Sequence, residues 1–243
     1  MRAFRAELAK LSSLPAVWIA VAIGVVLPAG VTVLNSSNSQ ARPSTDGGFR
    51  ELGLGVIAAI VIGVVAISSE YLAEGEESGG SRQITTSLTA IPSRSRFLVA
   101  KTAAIVATVG LLALFSSAIT LTATDLASAD ASTGTPDLPR ALGIAAYWVF
   151  SALLAGGITL ITRSGIIPLS VLIVNISVVS VSFLLTKVTR LAYYFPDLAG
   201  TNMFLRSSDD PVGLSPVTGG LVMGLWVAVI AGTGATVFAR RDA

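Results

Sequence analysis

The sequence predicts an all-α, polytopic integral membrane protein, on the strength of its composition and its long apolar runs. Hydrophobic residues make up 53% of the 243 residues and charged residues only 12%, against roughly 25% charged residues in an ordinary soluble domain. A chain so poor in charge cannot cover the surface of a water-soluble core. Because hydrocarbon offers the backbone no hydrogen-bond partners, apolar runs of about 20 residues favour spanning helices over strands.

Six apolar stretches have the length of a transmembrane helix, and together they predict one transmembrane domain over residues 1–243. The inner parts of the second to sixth stretches contain no Asp, Glu, Lys or Arg. The ten-residue alternation of barrel strands is absent from them, which further favours helices. The predicted spans are residues 14–34, 52–72, 101–124, 141–161, 166–185 and 215–239.

Residues 1–13 predict a separate amphipathic helix before the first span. Phe4, Leu8 and Leu11 follow spacings of four and three, which places them on one helical face, while Arg2, Arg5 and Lys10 lie elsewhere around the helix. This pattern predicts an interfacial helix on the inner membrane face. The alternative is a positively charged flank that only sets the orientation of the chain.

The distribution of basic residues predicts that both termini are cytoplasmic and that the protein lies in the plasma membrane. With six spans, one side carries ten of the Lys and Arg residues and the other six. Lys and Arg accumulate in short cytoplasmic loops, so the richer side, which includes both termini, is predicted to face the cytoplasm.

Composition also excludes several function classes. The chain has no Cys and no His, which removes disulfides, thiolate and imidazole metal sites and the usual proton shuttle. No Lys follows a Gly, so the phosphate-binding P-loop is missing. The basic residues are dispersed, which disfavours a nucleic-acid partner. The sequence therefore predicts no catalytic residue, metal or cofactor in this chain.

The two longest connections are the predicted cytoplasmic loop 73–100 and the predicted external segment 187–214. In the first, Arg82 to Ala90 is expected to form a short helix that ends before Pro92. Ile84 and Leu88, four residues apart, would give this helix an apolar edge of the kind that docks into a partner groove. The alternative is a solvated loop whose charges set the topology.

Several motifs follow one another in a recognisable order along the chain. They are the N-terminal Arg2 to Leu11, the pair Glu70-Tyr71, the run from Arg82 to the turn Pro92-Ser93-Arg94-Ser95-Arg96, and Phe195 to Gly200. In this order they resemble the permease subunits of bacterial ABC exporters of the type-2 class, in particular actinobacterial ones. The six predicted spans and the missing P-loop fit the same resemblance.

The resemblance implies a division of labour between chains. The loop would contact a separate ABC ATPase, present in two copies, which binds ATP and Mg, and this chain would pair with a second permease copy or a paralogue in the bilayer. The residues implied in coupling are Glu70, Tyr71, Arg82, Ile84, Leu88, Pro92, Arg94 and Arg96.

The segment 187–214 is rich in aromatic residues. The resemblance implies that it dips back into the outer leaflet as two short helices, whereas the alternative is an aromatic belt at the membrane boundary. Its candidate residues are Tyr193, Tyr194, Phe195, Pro196 and Gly200.

The predicted fifth span carries polar side chains at Asn175, Ser177, Ser180 and Ser182. Such groups commonly form interhelical hydrogen bonds worth about 0.6 kcal/mol each. The resemblance implies instead that they line a substrate path between two permease copies.

These observations predict an export permease that moves a hydrophobic or amphipathic substrate such as an antibiotic, a peptide or a lipid-like molecule. A non-transporting membrane scaffold or assembly protein is the alternative. An ion-coupled carrier is less compatible, because such carriers keep an ionisable group at mid-membrane and the predicted spans have none there.

Overall fold

The computed structural model describes residues 2–36, 46–71, 93–127, 137–177, 181–206 and 214–240. Within these ranges the chain is helical and contains no β-strand, which confirms the predicted all-α class. It also contains two short 3-10 turns, Ser69–Tyr71 and Arg190–Tyr194. The α-helices are α1 (Arg2–Ser13), α2 (Pro15–Ser36), α3 (Phe49–Leu54), α4 (Val56–Ser68), α5 (Arg94–Ala127), α6 (Leu138–Thr162), α7 (Ile166–Ser177), α8 (Val181–Thr186), α9 (Pro196–Thr201) and α10 (Pro216–Arg240).

Five stretches of the described chain are long and apolar enough to cross a membrane as helices. Each overlaps one of the predicted spans, so the prediction of a polytopic membrane protein is confirmed. The stretches are Pro15–Asn35, Phe49–Tyr71, Arg94–Leu126, Leu138–Thr162 and Pro216–Arg240.

The bundle has two ends that hold different elements. At the first, the α1 end, α1 packs against α5, and Arg94 at the start of α5 reaches the last turn of α10. At the second, the α3 end, the first turns of α6 and α10 meet residues 196–206. Both α6 and α10 therefore run from the α3 end to the α1 end.

Helix α6 lies at the centre and packs against α4, α5 and α10. A Cβ atom on Gly63 of α4 would lie 2.2 Å from the Ala152 carbonyl oxygen of α6, so only glycine permits this approach of the two backbones. The fully buried Trp148 of α6 donates its indole N–H to the Leu52 carbonyl at 3.1 Å, where α3 gives way to α4. These contacts fix α3 and α4 to the central helix.

Helix α2 contains Pro28, which cannot donate a backbone hydrogen bond to the Gly24 carbonyl one turn earlier. Ser116 of α5 donates its hydroxyl to that same oxygen at 2.7 Å. A side chain of the neighbouring helix thus replaces the bond that proline removes.

Helix α5 begins at Arg94, ahead of the predicted start of the third span at Lys101. The Ser93 carbonyl accepts the backbone N–H of Phe97 at 3.0 Å, and the Ser93 hydroxyl accepts that of Arg96 at 3.4 Å. Serine is a favoured N-cap residue, and Pro92 before it cannot join a helix interior. The helix consequently extends through the end of the predicted loop.

Within the predicted span 166–185, the described residues form α7 and α8, and residues 178–180 lie outside the described ranges. Because α6 ends and α10 begins at opposite ends of the bundle, the chain between them must return to the α3 end. A sixth complete span stays a prediction.

Helix α1 packs its apolar edge on the protein. Leu11 is buried, and Phe4 and Leu8 contact the core formed with α2 and α5. The predicted amphipathic face therefore exists, with protein as its neighbour, and Arg2 and Arg5 stay exposed on the other side.

Candidate functional site

Four charged side chains converge at the α1 end, and we call them the α1-end ion network: Glu7 and Lys10 of α1, Glu70 after α4, and Lys101 of α5. The Glu70 and Lys101 side chains are only 2% and 3% exposed, and Glu7 is nearly as buried. Charges this poorly hydrated persist only when they are paired.

Lys101 is the centre of the network. Its ammonium lies 2.5 Å from Glu7 Oε2, 2.8 Å from Glu70 Oε1 and 3.1 Å from the Ala66 carbonyl oxygen. An ammonium has three N–H donors, so these three acceptors match its whole capacity. One side chain of α5 is thereby bound to α1 and to the last turn of α4.

Glu70 receives a second cation, because the Lys10 ammonium lies 2.5 Å from the same Oε1 atom. The network thus contains two carboxylates and two ammonium groups and is formally neutral. Neutrality matters here, since an unbalanced charge in a dry protein interior would cost several kcal/mol.

The network joins the two residues that flank the segment 72–92. Glu70 lies two positions before this segment and Lys101 lies nine positions after it, and their side chains are in direct contact. Glu7 and Lys10 add α1 to this contact from the side. The residues that flank the segment are thereby connected to α1, to the end of α4 and to α5.

Arg94 and Phe97 connect the same region to the last helix. The Arg94 guanidinium donates to the carbonyl oxygens of Phe238 and Ala239 at 3.1 and 3.0 Å, and so satisfies two of the acceptors that the end of α10 leaves open. The Phe97 ring stacks on Phe238 with their centroids 6.0 Å apart.

Tyr71 faces a different helix. The guanidinium of Arg163 lies 5.8 Å from the centroid of its ring, within cation–π range. Arg163 ends α6 in the left-handed conformation with φ of 53°, and its N–H bonds to the Thr159 carbonyl at 2.8 Å. The two residues predicted together, Glu70 and Tyr71, thus contact different helices.

The other predicted coupling residues divide into two groups. Arg96 is exposed in the first turn of α5, beside the partly buried Arg94. Arg82, Ile84, Leu88 and Pro92 lie outside the described residues. The ranges described at the α1 end and elsewhere contain no group of three His, Cys, Asp or Glu residues that could hold a metal ion.

The aromatic segment predicted to be external lies at the α3 end and contains two short helices, Arg190–Tyr194 and Pro196–Thr201. Trp226 of α10 donates its indole N–H to the Tyr194 carbonyl at 2.9 Å and stacks on Phe195. Gly200 is buried against Tyr147 and Met223. Tyr193 is half-buried, and Pro196 begins α9, where its fixed φ suits a first helical position.

Asn175 and Ser182 are described, and they have different surroundings. The Asn175 amide donates to Asp197 Oδ2 at 3.0 Å, which connects α7 to α9, and Ser182 of α8 is buried. Ser180 and the side chain of Ser177 lie outside the described part of the structure. The four residues are not shown to share one path.

Sequence reasoning missed Glu7, Lys10 and Lys101 as site residues. One signal could have found the first of them: Glu7 falls between Phe4, Leu8 and Leu11 on the predicted apolar face, where a lone carboxylate needs a cation. Its partner is 94 residues away in the sequence, and no local pattern identifies it.

The fold and this site define a multi-pass, all-α membrane protein whose charged groups are gathered at the ends of the bundle. A family model for ABC-2 family transporter proteins matches residues 3–194, which is most of the chain. The chain therefore belongs to the ABC-2 transporter family, as the sequence motifs suggested, and it is a membrane transport subunit that is not itself catalytic. A comparison with curated proteins gave no match.

Proposed function

We propose that this chain is the permease subunit of an ATP-driven ABC exporter, driven by a separate ATPase that docks on the segment 82–96 at the cytoplasmic side. The contact between Glu70 and Lys101 is the observation that carries the proposal. It joins the two flanks of that segment at its base and ties both to α1. A force applied to the segment from outside the chain would reach three helices through one ammonium group.

The proposed substrate is hydrophobic or amphipathic. Large apolar side chains stand exposed along the outer faces of α2, α5 and α10, as lipid or apolar cargo requires. Two permease units, identical or paralogous, would enclose the pathway, and both termini would be cytoplasmic.

The docking proposal is tested by expressing the chain together with candidate ABC ATPases from the same genome. Arg82→Glu and Arg96→Glu should reduce co-purification of the ATPase, because both residues belong to the proposed docking surface. Arg190→Glu is the matched control, since Arg190 is an exposed arginine at the α3 end. Equal loss in all three variants, or full retention in all three, would count against the proposed surface.

Transmission is tested separately with Lys101→Arg. This change keeps the positive charge but replaces a compact ammonium with a planar guanidinium whose donors point elsewhere. We expect the ATPase to co-purify normally while stimulation of its activity by transported compounds is lost. If no ATPase co-purifies even with the native chain, the result would favour the alternative of a non-transporting membrane scaffold.

The pathway proposal is tested with Asn175→Leu. Export is expected to fall while assembly with the ATPase persists. Asp197→Asn is the control, because it can keep a hydrogen bond to Asn175 while removing the charge. Unchanged export in Asn175→Leu would remove Asn175 from the proposed path.

A further inference from the structure

A second set of buried charges lies at the α3 end, far from the α1-end ion network. Asp46, just before α3, and Arg140, in the first turn of α6, are 4% and 9% exposed. The Arg140 Nη2 atom lies 2.5 Å from Asp46 Oδ1. The guanidinium also lies over the Phe49 ring, 4.0 Å from its centroid.

Both members of this ion pair bind the backbone at residues 204–206. Arg140 donates through Nε to the Phe204 carbonyl oxygen at 2.7 Å. Asp46 Oδ1 accepts the backbone N–H of Arg206 at 2.9 Å. We call Asp46, Arg140 and these two backbone groups the Arg140 clamp.

The clamp lies next to places where the same segment approaches helix backbones very closely. A Cβ atom on Gly143 of α6 would lie 2.3 Å from the Met203 carbonyl oxygen, and one on Gly219 of α10 would lie 2.4 Å from that of Ala199. Residues 199–206 are therefore held by charge and by close packing against α3, α6 and α10.

The other end of the segment is held differently. Arg190, Leu191 and Tyr194 are exposed and Ala192 is buried, and the neighbouring contact is made by Trp226 through its hydrogen bond to the Tyr194 carbonyl and its stacking on Phe195. Exposed backbone hydrogen bonds and few buried contacts are typical of the parts of a protein that open first.

We propose that Arg140 is a positioning residue for the segment 190–206: its ion pair with Asp46 anchors the 204–206 end to the bundle, so that the segment moves about that end. This inference goes beyond the proposed function, and its test needs neither the ATPase nor a substrate. Removing one member of a buried pair leaves the other charge uncompensated, and the anchored end should then open.

The natural absence of cysteine makes the test direct. Leu198→Cys places one thiol on α9, where the native side chain is half-buried, and maleimide labelling of the purified protein in detergent reports its exposure. Adding Arg140→Met should raise the labelling rate by about tenfold or more. Arg140→Lys keeps the positive charge, but a single ammonium group cannot bind both the Asp46 carboxylate and the Phe204 carbonyl as the planar guanidinium does. This variant should give an intermediate labelling rate.

Arg206→Met is the matched control. Its guanidinium pairs with Asp137, but the Arg206 side chain is 66% exposed. An exposed pair contributes little, so this variant should change the labelling rate by no more than about twofold. Leu191→Cys, which is already exposed, calibrates the intrinsic reactivity of the thiol.

Leu8→Cys at the α1 end separates a local effect from general loosening, because Leu8 is also half-buried. If Arg140→Met accelerates labelling at Leu8→Cys as much as at Leu198→Cys, the ion pair holds the whole fold and the positioning role is overturned. Unchanged labelling at Leu198→Cys overturns it as well. Should Arg140→Met fail to fold, Asp46→Asn with the same reporters decides the question, and it should raise labelling at Leu198→Cys alone.

Discussion

Among the described residues, each end of the bundle has ion pairs formed by two carboxylates and two cations, and the two ends use them differently. At the α1 end, the described contacts of Lys101 join side chains from α1, α5 and the turn after α4, and add one backbone carbonyl of α4. At the α3 end, Arg140 and Asp46 bind backbone groups of a loop. The first arrangement connects helices to one another, whereas the second fixes a segment in place.

The difference also appears in how burial changes across each group. The α1-end ion network is buried throughout except for Lys10, whose side chain is 19% exposed. At the α3 end, burial decreases from Arg140, which is buried, to Arg206, which is exposed. Substitutions in the α1-end ion network should therefore change the free energy of unfolding non-additively, whereas at the α3 end each substitution should have its own separate effect.

The largest effect is expected for Lys101→Met. Glu7 and Glu70 would remain as neighbouring buried carboxylates with Lys10 alone to balance them, and the free energy of unfolding should fall by about 3–5 kcal/mol. Thermal unfolding in detergent measures this loss. Lys10→Met is the matched control and should cost clearly less, because Lys101 continues to bind Glu70. Equal losses for both variants would show that Lys101 is not the centre of the network.

Gly63→Val tests the close approach of α4 to α6, which lies between the two ends. The added side chain cannot fit against the Ala152 carbonyl, so α4 must move from α6 at a cost of about 1–3 kcal/mol or more. The control is Gly232→Ala, since no atom lies within 4 Å of a Cβ at that position. Unfolding of both variants in detergent provides the measurement, and a Gly63→Val protein as stable as the native one would contradict the close approach.

Ser116→Ala tests the middle of α2, between the two ends, at an expected cost of about 1 kcal/mol. The cost should nearly vanish in a Pro28→Ala background, because the restored N–H of residue 28 can bond to the Gly24 carbonyl. A double-mutant cycle on the unfolding free energy measures this coupling. Additive costs would mean that the Ser116 hydroxyl does not replace the missing helix bond.

The smallest effect is expected for Arg94→Met. It removes two hydrogen bonds to the final carbonyls of α10 and the favourable charge at that helix end, together worth about 0.3–1 kcal/mol. Hydrogen exchange of the last turn of α10 should rise in this variant and stay unchanged in Arg96→Met. A large drop in global stability would instead place Arg94 with the buried network.

Much of the fold could be predicted from the sequence, because the length of an apolar run indicates whether it can span a membrane as a helix. Five of the six apolar runs coincide with helices long enough to span a membrane. The run at 166–185 shows the limit of this reasoning: hydropathy measures how well a stretch suits lipid, and it does not report where helices begin and end within it. Similarly, the start of α5 depended on the N-cap at Ser93, which the apolar pattern does not report.

The candidate site was only partly predictable. Glu70 and Tyr71 were found through their motif, but the residues that hold Glu70 come from α1 and α5, 60 and 31 positions away in the chain, and only folding brings them together. An ATPase contact of Arg94 stays a prediction, and its hydrogen bonds to α10 have no local signal in the sequence. Asp46 and Arg140 carry no local signal at all, because each is an ordinary charge near the end of an apolar run.

The way Lys101 uses all three of its donors constrains how this chain can change over generations. Loss of Glu7, Glu70 or Lys101 alone leaves the remaining buried charges of the network unbalanced, so viable variants should change more than one of them together. A chimaera that takes residues 1–13 from a related protein would bring a residue at position 7 that was not selected together with Lys101. The short leading helix is thus inseparable from a residue encoded almost a hundred positions downstream.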